Sequence, residues 1–280
     1  MNIFNQLSND GEIEFIFIDD GSSKKYKETY EKILKVYSNK KIAYSSIPWI
    51  KTKNQVCKAR NLWASMSNFE YLVFIDQDTV LWKNYLENLS SEIKKIGNSK
   101  VFFGPYYGYN NLKKQIEKKH MYEFLDTWNI LDASFQDFRI WNPLVQKRKH
   151  AWKYFCWSNI CIKRNIYSKV NWFDEWIISW GDEDTEFWYR ISQYEQIKFQ
   201  ENIPTLNISK KLYSPPFNIL EDDKVKFLFD NTLRNLKKHK SIEYLTYILE
   251  RFQWINEEQK KMVSPLFKNF IKCLRKKEIS

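Results

Sequence analysis

Runs of nearly unbroken apolar residues alternate along this chain with stretches in which apolar side chains recur every three or four positions. EIEFIFIDD (12–20), EYLVFIDQD (70–78) and KVFFGP (100–105) are short and continuously hydrophobic, as expected of strands buried on both faces. Between them, KKYKETYEKILKVY (24–37) places Tyr26, Tyr30, Ile33, Leu34 and Tyr37 at helical spacing, with Ser22 or Ser23 as N-cap. KARNLWASMSN (58–68) and WKNYLENLSSEIKKI (82–96) read as two further helices. This βαβα alternation predicts an α/β fold, a mostly parallel Rossmann-like sheet flanked by helices.

Further on the pattern loosens. The stretch 106–153 is rich in Tyr, Trp and Asn and is expected to be a substrate-facing loop with a helix near 112–126. FCWSNICIKR (155–164) reads as a strand, NIYSKVNWFDE (165–175) as a short helix and turn, and WGDEDTEFWYR (180–190) as the start of another helix. From about 217 the pattern is wholly helical to the end. The composition shift at SPP near 215 divides the chain into an expected domain over 1–215 and a helical C-terminal extension over 216–280.

Composition narrows the class. With 280 residues, 43% of them hydrophobic and 18% aromatic, the chain can build a sizeable core and is not a disordered segment. No apolar run approaches the ~20 residues of a membrane span, and the start has no signal-peptide pattern. Cys57, Cys156, Cys161 and Cys273 lack metal-ligand spacing and read as reduced thiols of a cytoplasmic protein. The formal net charge of +11 either serves an anionic partner or reflects a lysine-rich composition.

Against that basic background the acids are concentrated. Two strands end in paired carboxylates, Asp19 with Asp20 and Asp76 with Asp78. In open α/β sheets ligands bind beyond the carboxyl ends of strands, so both pairs are expected on one rim. Hard oxygen donors of this kind suit Mg²⁺ or Mn²⁺ shared with substrate phosphates, although Asp is also common in turns after strands. The third concentration is Asp182, Glu183, Asp184 and Glu186, between Trp180 and Trp188. Two carboxylates ~5 Å apart at an effective dielectric of ~20 repel by roughly 3 kcal/mol, so an offsetting partner is required. A helix N-terminus near Asp182 favours each anion by ~0.3–1 kcal/mol. Glu186 and Arg190, at i and i+4, are expected to pair on the helix surface, with Phe187 and Ile191 toward the core. Gly181 permits a tight turn, Trp180 offers a flat face for a sugar ring, and a carboxylate beside it suits a general base.

Taken in order, EFIFIDDGSS, KARNLWASMSNFEYLVFIDQDTV and FDEWIISWGDEDTEFWYR resemble the inverting glycosyltransferases of family 2 with the GT-A fold. The last segment is similar to the galactosyl- and N-acetylgalactosaminyltransferase branch, and the resemblance covers about residues 12–195. It implies a UDP-sugar donor whose uridine meets Asp19 and Asp20, with Arg60 near the nucleotide or its diphosphate. Asp76 would face the ribose, and Asp78, with Asp76, would hold Mn²⁺ or Mg²⁺ on the diphosphate. Asp184 would take the proton of the acceptor hydroxyl, Glu183 would hold acceptor or sugar, and Trp180 would form the sugar platform.

The chain departs from the family in several places. Only 18 residues precede Asp19, and MNIFNQLSNDGEIEF resembles the tail of the family's first helix, so the first strand is expected to be absent, through a misplaced start or a truncated gene. No His lies between the acidic cluster and His239, which leaves the branch's downstream metal ligand without a counterpart. Trp63 replaces a small residue and Trp157 and Ser158 replace glycines, so a differently shaped donor pocket is expected.

Residues 260–278 carry seven basic residues against Glu278, net +6, with Phe267, Phe270, Ile271 and Leu274 on one face. Such a helix either lies on an anionic membrane surface or packs on its own domain. The expected activity is transfer of a hexose or N-acetylhexosamine to a hydroxyl of a glycan, lipid-linked glycan or peptide acceptor, at the inner face of the cell membrane or free in the cytoplasm. The rivals are a non-catalytic remnant of the same fold, a basic nucleic-acid-binding protein and a metal-dependent hydrolase using the same acids, the last disfavoured by the order of the motifs. Acids crowded at strand ends would repel phosphates, so no nucleic-acid partner is expected.

Overall fold

The computed structural model describes residues 6–7, 12–48, 55–76, 79–96, 100–108, 151–154, 159–207 and 222–277. Asp78, the expected helix at 112–126, Trp157, Ser158 and the boundary near 215 lie outside the described residues.

Strand β1 (Phe15–Asp19) is followed by helix α1 (Lys24–Val36) and a parallel partner, β2 (Ile42–Ser46). Helix α1 has Ser23 at its N-cap and buries none of its residues fully, resting Ile33 and the following Tyr37 against the core. Strand β2 escaped the sequence reading because it is half-exposed throughout and too short for a clear alternation. Helix α2 (Val56–Met66) then packs on β1 and leads to β3 (Tyr71–Phe74), a short β4 (Thr79–Leu81), α3 (Tyr85–Ile96), β5 (Val101–Phe103) and β6 (Tyr106–Gly108).

The next strand makes the sheet mixed. β7 (Ile160–Lys163) inserts between β3 and β5 and is antiparallel to both, while β5 pairs in parallel with β8 (Lys198–Phe199). A third sheet, besides the β1–β2 pair and this four-stranded one, joins β4, β9 (Thr205–Asn207) and β6, antiparallel at its first pairing and parallel at its second. The α/β class expected from the sequence holds. The mixture arises because β7 returns along the sheet from the chain after 150, which a strand-helix alternation does not foretell.

Continuous hydrophobicity in β5 and β7 has the expected cause. Val101, Phe103, Ile160 and Ile162 face one core cluster, while Phe102 and Cys161 face a second with Leu81, Tyr85 and Leu89. The first cluster continues into α4 (Arg164–Lys169), α5 (Glu183–Ser192), α6 (Asp222–His239), α7 (Ile242–Trp254) and Val263 of α8 (Glu257–Lys277). The C-terminal helices therefore share the core of the sheet. Phe267 of α8 packs on Phe229 and Phe252, at ring distances of 5.8 and 5.2 Å, so the core takes part of the apolar face expected at a membrane; Ile271 is exposed. Cys57 and Cys161 are buried free thiols. Among the described residues no helix is long and apolar enough to cross a membrane.

Two buried asparagines hold the joints. Asn61 donates to Phe173 O at 3.0 Å and Glu175 Oε1 at 2.8 Å, and its Oδ1 accepts from Tyr167 OH at 2.8 Å and Phe173 N at 3.0 Å. Asn159, in the left-handed region at φ 68°, accepts from Tyr85 OH and donates to Ile203 O at 2.7 Å. Arg164 donates to the carbonyls of Ala64, Ser67 and Phe69, satisfying acceptors that the end of α2 leaves open.

Candidate active site

The acidic cluster is built where the chain turns into α5. Gly181 and Asp182 adopt left-handed conformations in succession, at φ 94° and 69°. A Cβ on Gly181 would meet Leu228 Cδ1 at 2.9 Å, so both backbone angle and space call for glycine here. Asn231 of α6 secures the turn, donating to Gly181 O at 2.8 Å and accepting from Ser179 Oγ at 3.0 Å.

Asp182 costs about 1 kcal/mol in this conformation and must be compensated by what its side chain gains. Its carboxylate is buried and accepts from Asn235 Nδ2 at 2.8 Å, Tyr244 OH at 2.5 Å and Arg251 Nη1 at 3.4 Å. Burial pushes its pKa up to about 6, with Arg251, Tyr244 and Asn235 pulling it back. Asp182 is thus an anchor to the C-terminal helices.

The next two acids face inward from the first turn. Glu183 is 8% exposed, and its Oε1 lies 3.8 Å from Arg60 Nη1. Its Oε2 has no hydrogen-bond partner among the described residues. Burial and the neighbouring Asp184 charge push Glu183 up to about 7, against the pull of Arg60. Asp184 is half-buried; Oδ1 accepts from Thr185 N at 2.8 Å, and its pKa is raised by burial despite Arg60 and Arg251. Two adjacent carboxyls that hold protons more tightly than usual, with a guanidinium beside them, can accept a proton and bind a hydroxyl.

Glu186 behaves oppositely. Burial opposes its charge, yet His239, Arg190 and Lys238 outweigh burial and hold it below the usual carboxylate range. Arg190 bonds it twice, at 2.8 and 2.7 Å, while Lys238 and His239 each reach Oε1 at 2.9 Å. The expected surface pair with Arg190 is therefore a cluster around a fully buried Glu186, because α6 closes over this side of α5, with Lys238 reaching in from the surface. Phe187 and Ile191 face the core as expected, both 0% exposed.

The other sequence-predicted residues spread along α2 and the strand ends. Asp19 is buried at the end of β1, accepting from Ser22 N at 2.8 Å and Tyr44 OH at 3.5 Å, with Lys27 Nζ at 3.9 Å. Asp20 is exposed, and its carbonyl accepts from Gln55 Nε2 at 3.5 Å. Gln55 immediately precedes α2, and Arg60 follows it by five residues, roughly 7–8 Å along a helix. One helix therefore ties the Asp20 turn to the Glu183 carboxylate. Arg60 also lies over the Phe173 ring, 4.9 Å from its centroid. Asp76 is half-buried after β3 and its carbonyl accepts from Thr79 N at 3.0 Å. Among the described residues no three His, Cys, Asp or Glu side chains gather as a metal cluster. Trp180 packs at the edge of the core with Lys224 Nζ 5.9 Å over its ring.

Sequence reasoning missed Asn61, Asn235, Tyr244, Tyr247 and Arg251. The last three recur at i, i+3 and i+7 within SIEYLTYILERFQWI, a polar-tipped stripe on one helix face, and that spacing was the available signal.

A family model described as "Glycosyltransferase like family 2" matches residues 1–239. A chondroitin synthase of Pasteurella multocida (strain Pm70) is 26% identical over 204 residues, 64% of this chain and 20% of that protein. A chondroitin synthase of Escherichia coli is 24% identical over 208 residues, 64% of this chain and 27% of that protein. The chain thus spans about a fifth to a quarter of the length of these relatives. Among solved structures, S. aureus TarS aligns with a TM-score of 0.56 at 16% identity, covering 89% of this chain and 65% of that one. GalNAc-T7 with UDP, GalNAc and Mn²⁺ aligns with a TM-score of 0.54 at 15% identity, covering 80% and 41%.

Proposed function

Since the chain belongs to the family 2 glycosyltransferases and has their GT-A fold, we propose that it moves a sugar from a UDP-sugar to a hydroxyl of a glycan acceptor with inversion, Asp184 acting as the base. The observation that carries this reading is the pairing of Glu183 and Asp184 at the start of α5 beside Arg60. In the step, the acceptor oxygen attacks the anomeric carbon opposite the leaving group. Asp184 takes the hydroxyl proton, and the bond to the UDP oxygen breaks with its electron pair leaving on UDP. Glu183 holds an acceptor or sugar hydroxyl through Oε2, which has no hydrogen-bond partner among the described residues. Trp180 supplies an apolar face for the sugar ring.

Donor binding is assigned along the rim. Asp19 and Asp20 take the uridine end, and Arg60 the charge of the diphosphate. A divalent ion suits the donor set of Asp76 and Asp78, two hard carboxylates that fill only part of the coordination shell such an ion takes, and it would supply Lewis-acid charge to the departing diphosphate. The structurally similar GalNAc-T7 was solved with UDP and Mn²⁺ and TarS with UDP-GlcNAc, which supports this donor class. The chondroitin synthases it resembles support a polysaccharide acceptor. Lys268, Lys272 and exposed Ile271 on α8 would rest on an anionic membrane beside that acceptor.

The test is calorimetry of UDP binding with and without Mn²⁺, on this chain and on Asp78→Ala. Metal-dependent binding that Asp78→Ala abolishes is expected. A folded protein that binds no UDP, or binds it equally without metal and without Asp78, overturns the reading.

A further inference from the structure

Helix α7 is seated in the core by Tyr244, Tyr247 and Ile248, each at most 3% exposed, yet the same face carries a cation. The Arg251 guanidinium lies over the Tyr247 ring, 4.3 Å from its centroid. Its Nη1 reaches Asp182 Oδ1 at 3.4 Å and its Nη2 reaches Thr185 Oγ1 at 3.4 Å. Tyr247 OH lies 3.0 Å from Thr185 Oγ1 and 3.4 Å from Asp182 Oδ1, and its one proton serves the shorter contact. Thr185 in turn meets Asp184 Oδ1 twice, through its backbone N–H at 2.8 Å and its hydroxyl at 3.5 Å.

The hydrogen-bond inventory of that hydroxyl gives these contacts a direction. A guanidinium only donates, and a threonine hydroxyl has two acceptor sites and one proton. Arg251 donates to Thr185 Oγ1, and Tyr247, on the shorter of its two contacts, donates there too, which leaves the threonine proton to turn toward Asp184 Oδ1 at 3.5 Å.

We propose that Arg251, seconded by Tyr247, is the positioning residue of the Asp184 carboxylate, acting through Thr185 to orient it and hold it ionised. The C-terminal helix α7 is then a working part of the active site, and Arg251 is a residue no sequence motif of the site contains. This inference rests on the reading of Asp184 as the base.

The electrostatics agree with the geometry. Asp184 is faced by Arg60 from α2, by Tyr247 and Arg251 from α7, and by Asp182 and Glu183 from the start of its own helix. Burial and the two neighbouring acids oppose its charge; Arg60 and Arg251 favour it. A carboxylate that must be ionised to act, yet basic enough to take a proton, needs such a balance. Arg251 also neutralises Asp182, which would otherwise add a second unscreened charge two residues away.

The experiment titrates Asp184 directly, by carbon-13 NMR of protein labelled at aspartate Cγ, its signal assigned by disappearance in Asp184→Asn. In Arg251→Met the midpoint is expected to rise by about one pH unit, and in Arg251→Lys to return most of the way. Thr185→Val, nearly isosteric, should raise the midpoint as well and keeps the question open to measurement where Arg251→Met fails to fold. A midpoint unmoved in folded Arg251→Met, or in Thr185→Val, overturns the proposal. Full UDP release from a UDP-sugar by Asp184→Asn would instead overturn the assignment of the base, whatever Arg251 does to the titration.

Discussion

Arg60 of α2 and Glu183 of α5 face each other at 3.8 Å, with side chains only 8% and 10% exposed. The pair joins the helix that begins at the Asp20 turn to the helix that begins with the acids. At that distance the contact is electrostatic more than a hydrogen bond. Arg60→Met should weaken UDP binding at least tenfold by calorimetry, while the native fold, read by circular dichroism, persists because Glu183 can take up a proton instead.

The raised acids set a pH dependence. Glu183 sits at about 7 in the folded chain against an ordinary 4.5, and Asp182 at about 6 against 3.8, so the native state holds protons that the unfolded chain has released. Stability therefore falls as pH rises from about 5 to about 7. Thermal melts across that window should show a falling Tm, and Glu183→Gln should flatten the slope. A Tm that climbs through the window and is indifferent to Glu183→Gln would contradict the assignment.

Glu186 contributes with the opposite sign. Its folded pKa is depressed by His239, Arg190 and Lys238 in spite of burial, so its contribution is present above about 4.5 and is lost as pH falls below that. Glu186→Gln leaves Arg190, Lys238 and His239 without their shared anion and should destabilise by about 3–5 kcal/mol in urea unfolding at neutral pH. The loss should shrink in acid.

Gly181→Ala tests the turn before α5. The methyl group would meet Leu228 in a left-handed backbone, and a loss of roughly 1–3 kcal/mol is expected. Because the same turn aims Glu183 and Asp184, UDP release from a UDP-sugar should fall more steeply than UDP affinity.

Asn61→Leu removes two donors and one acceptor that close α2 onto the Phe173 loop, leaving Phe173 N and Tyr167 OH buried without their partner. A cost of about 2–4 kcal/mol is expected from chemical denaturation. Asn61→Asp sets a second carboxylate against Glu175 Oε1 and Phe173 O, so it should cost at least as much at neutral pH and less in acid, where a protonated acid can donate.

By itself the sequence determined the α/β class, most of the helices and the positions of the acids. Those features are local: unbroken apolar runs, helical spacing and charges three or four residues apart can all be read from neighbours in the chain. It also placed Phe187 and Ile191 in the core, since a single helix period assigns the faces of α5. Tertiary structure alone decided how four similar carboxyls differ. Asp182 became an anchor, Glu186 a buried counter-ion, and Glu183 and Asp184 the raised pair, because α2, α6 and α7 bring different partners to each. Arg60 and Glu183 meet although 123 positions apart in sequence, and Arg251 and Thr185 although 66 apart. A pKa depends on distance in space and on desolvation, and neither is encoded in the spacing of letters along a chain. The antiparallel course of β7 was hidden for the same reason, since strand direction is set by where the chain returns and not by the residues of the strand.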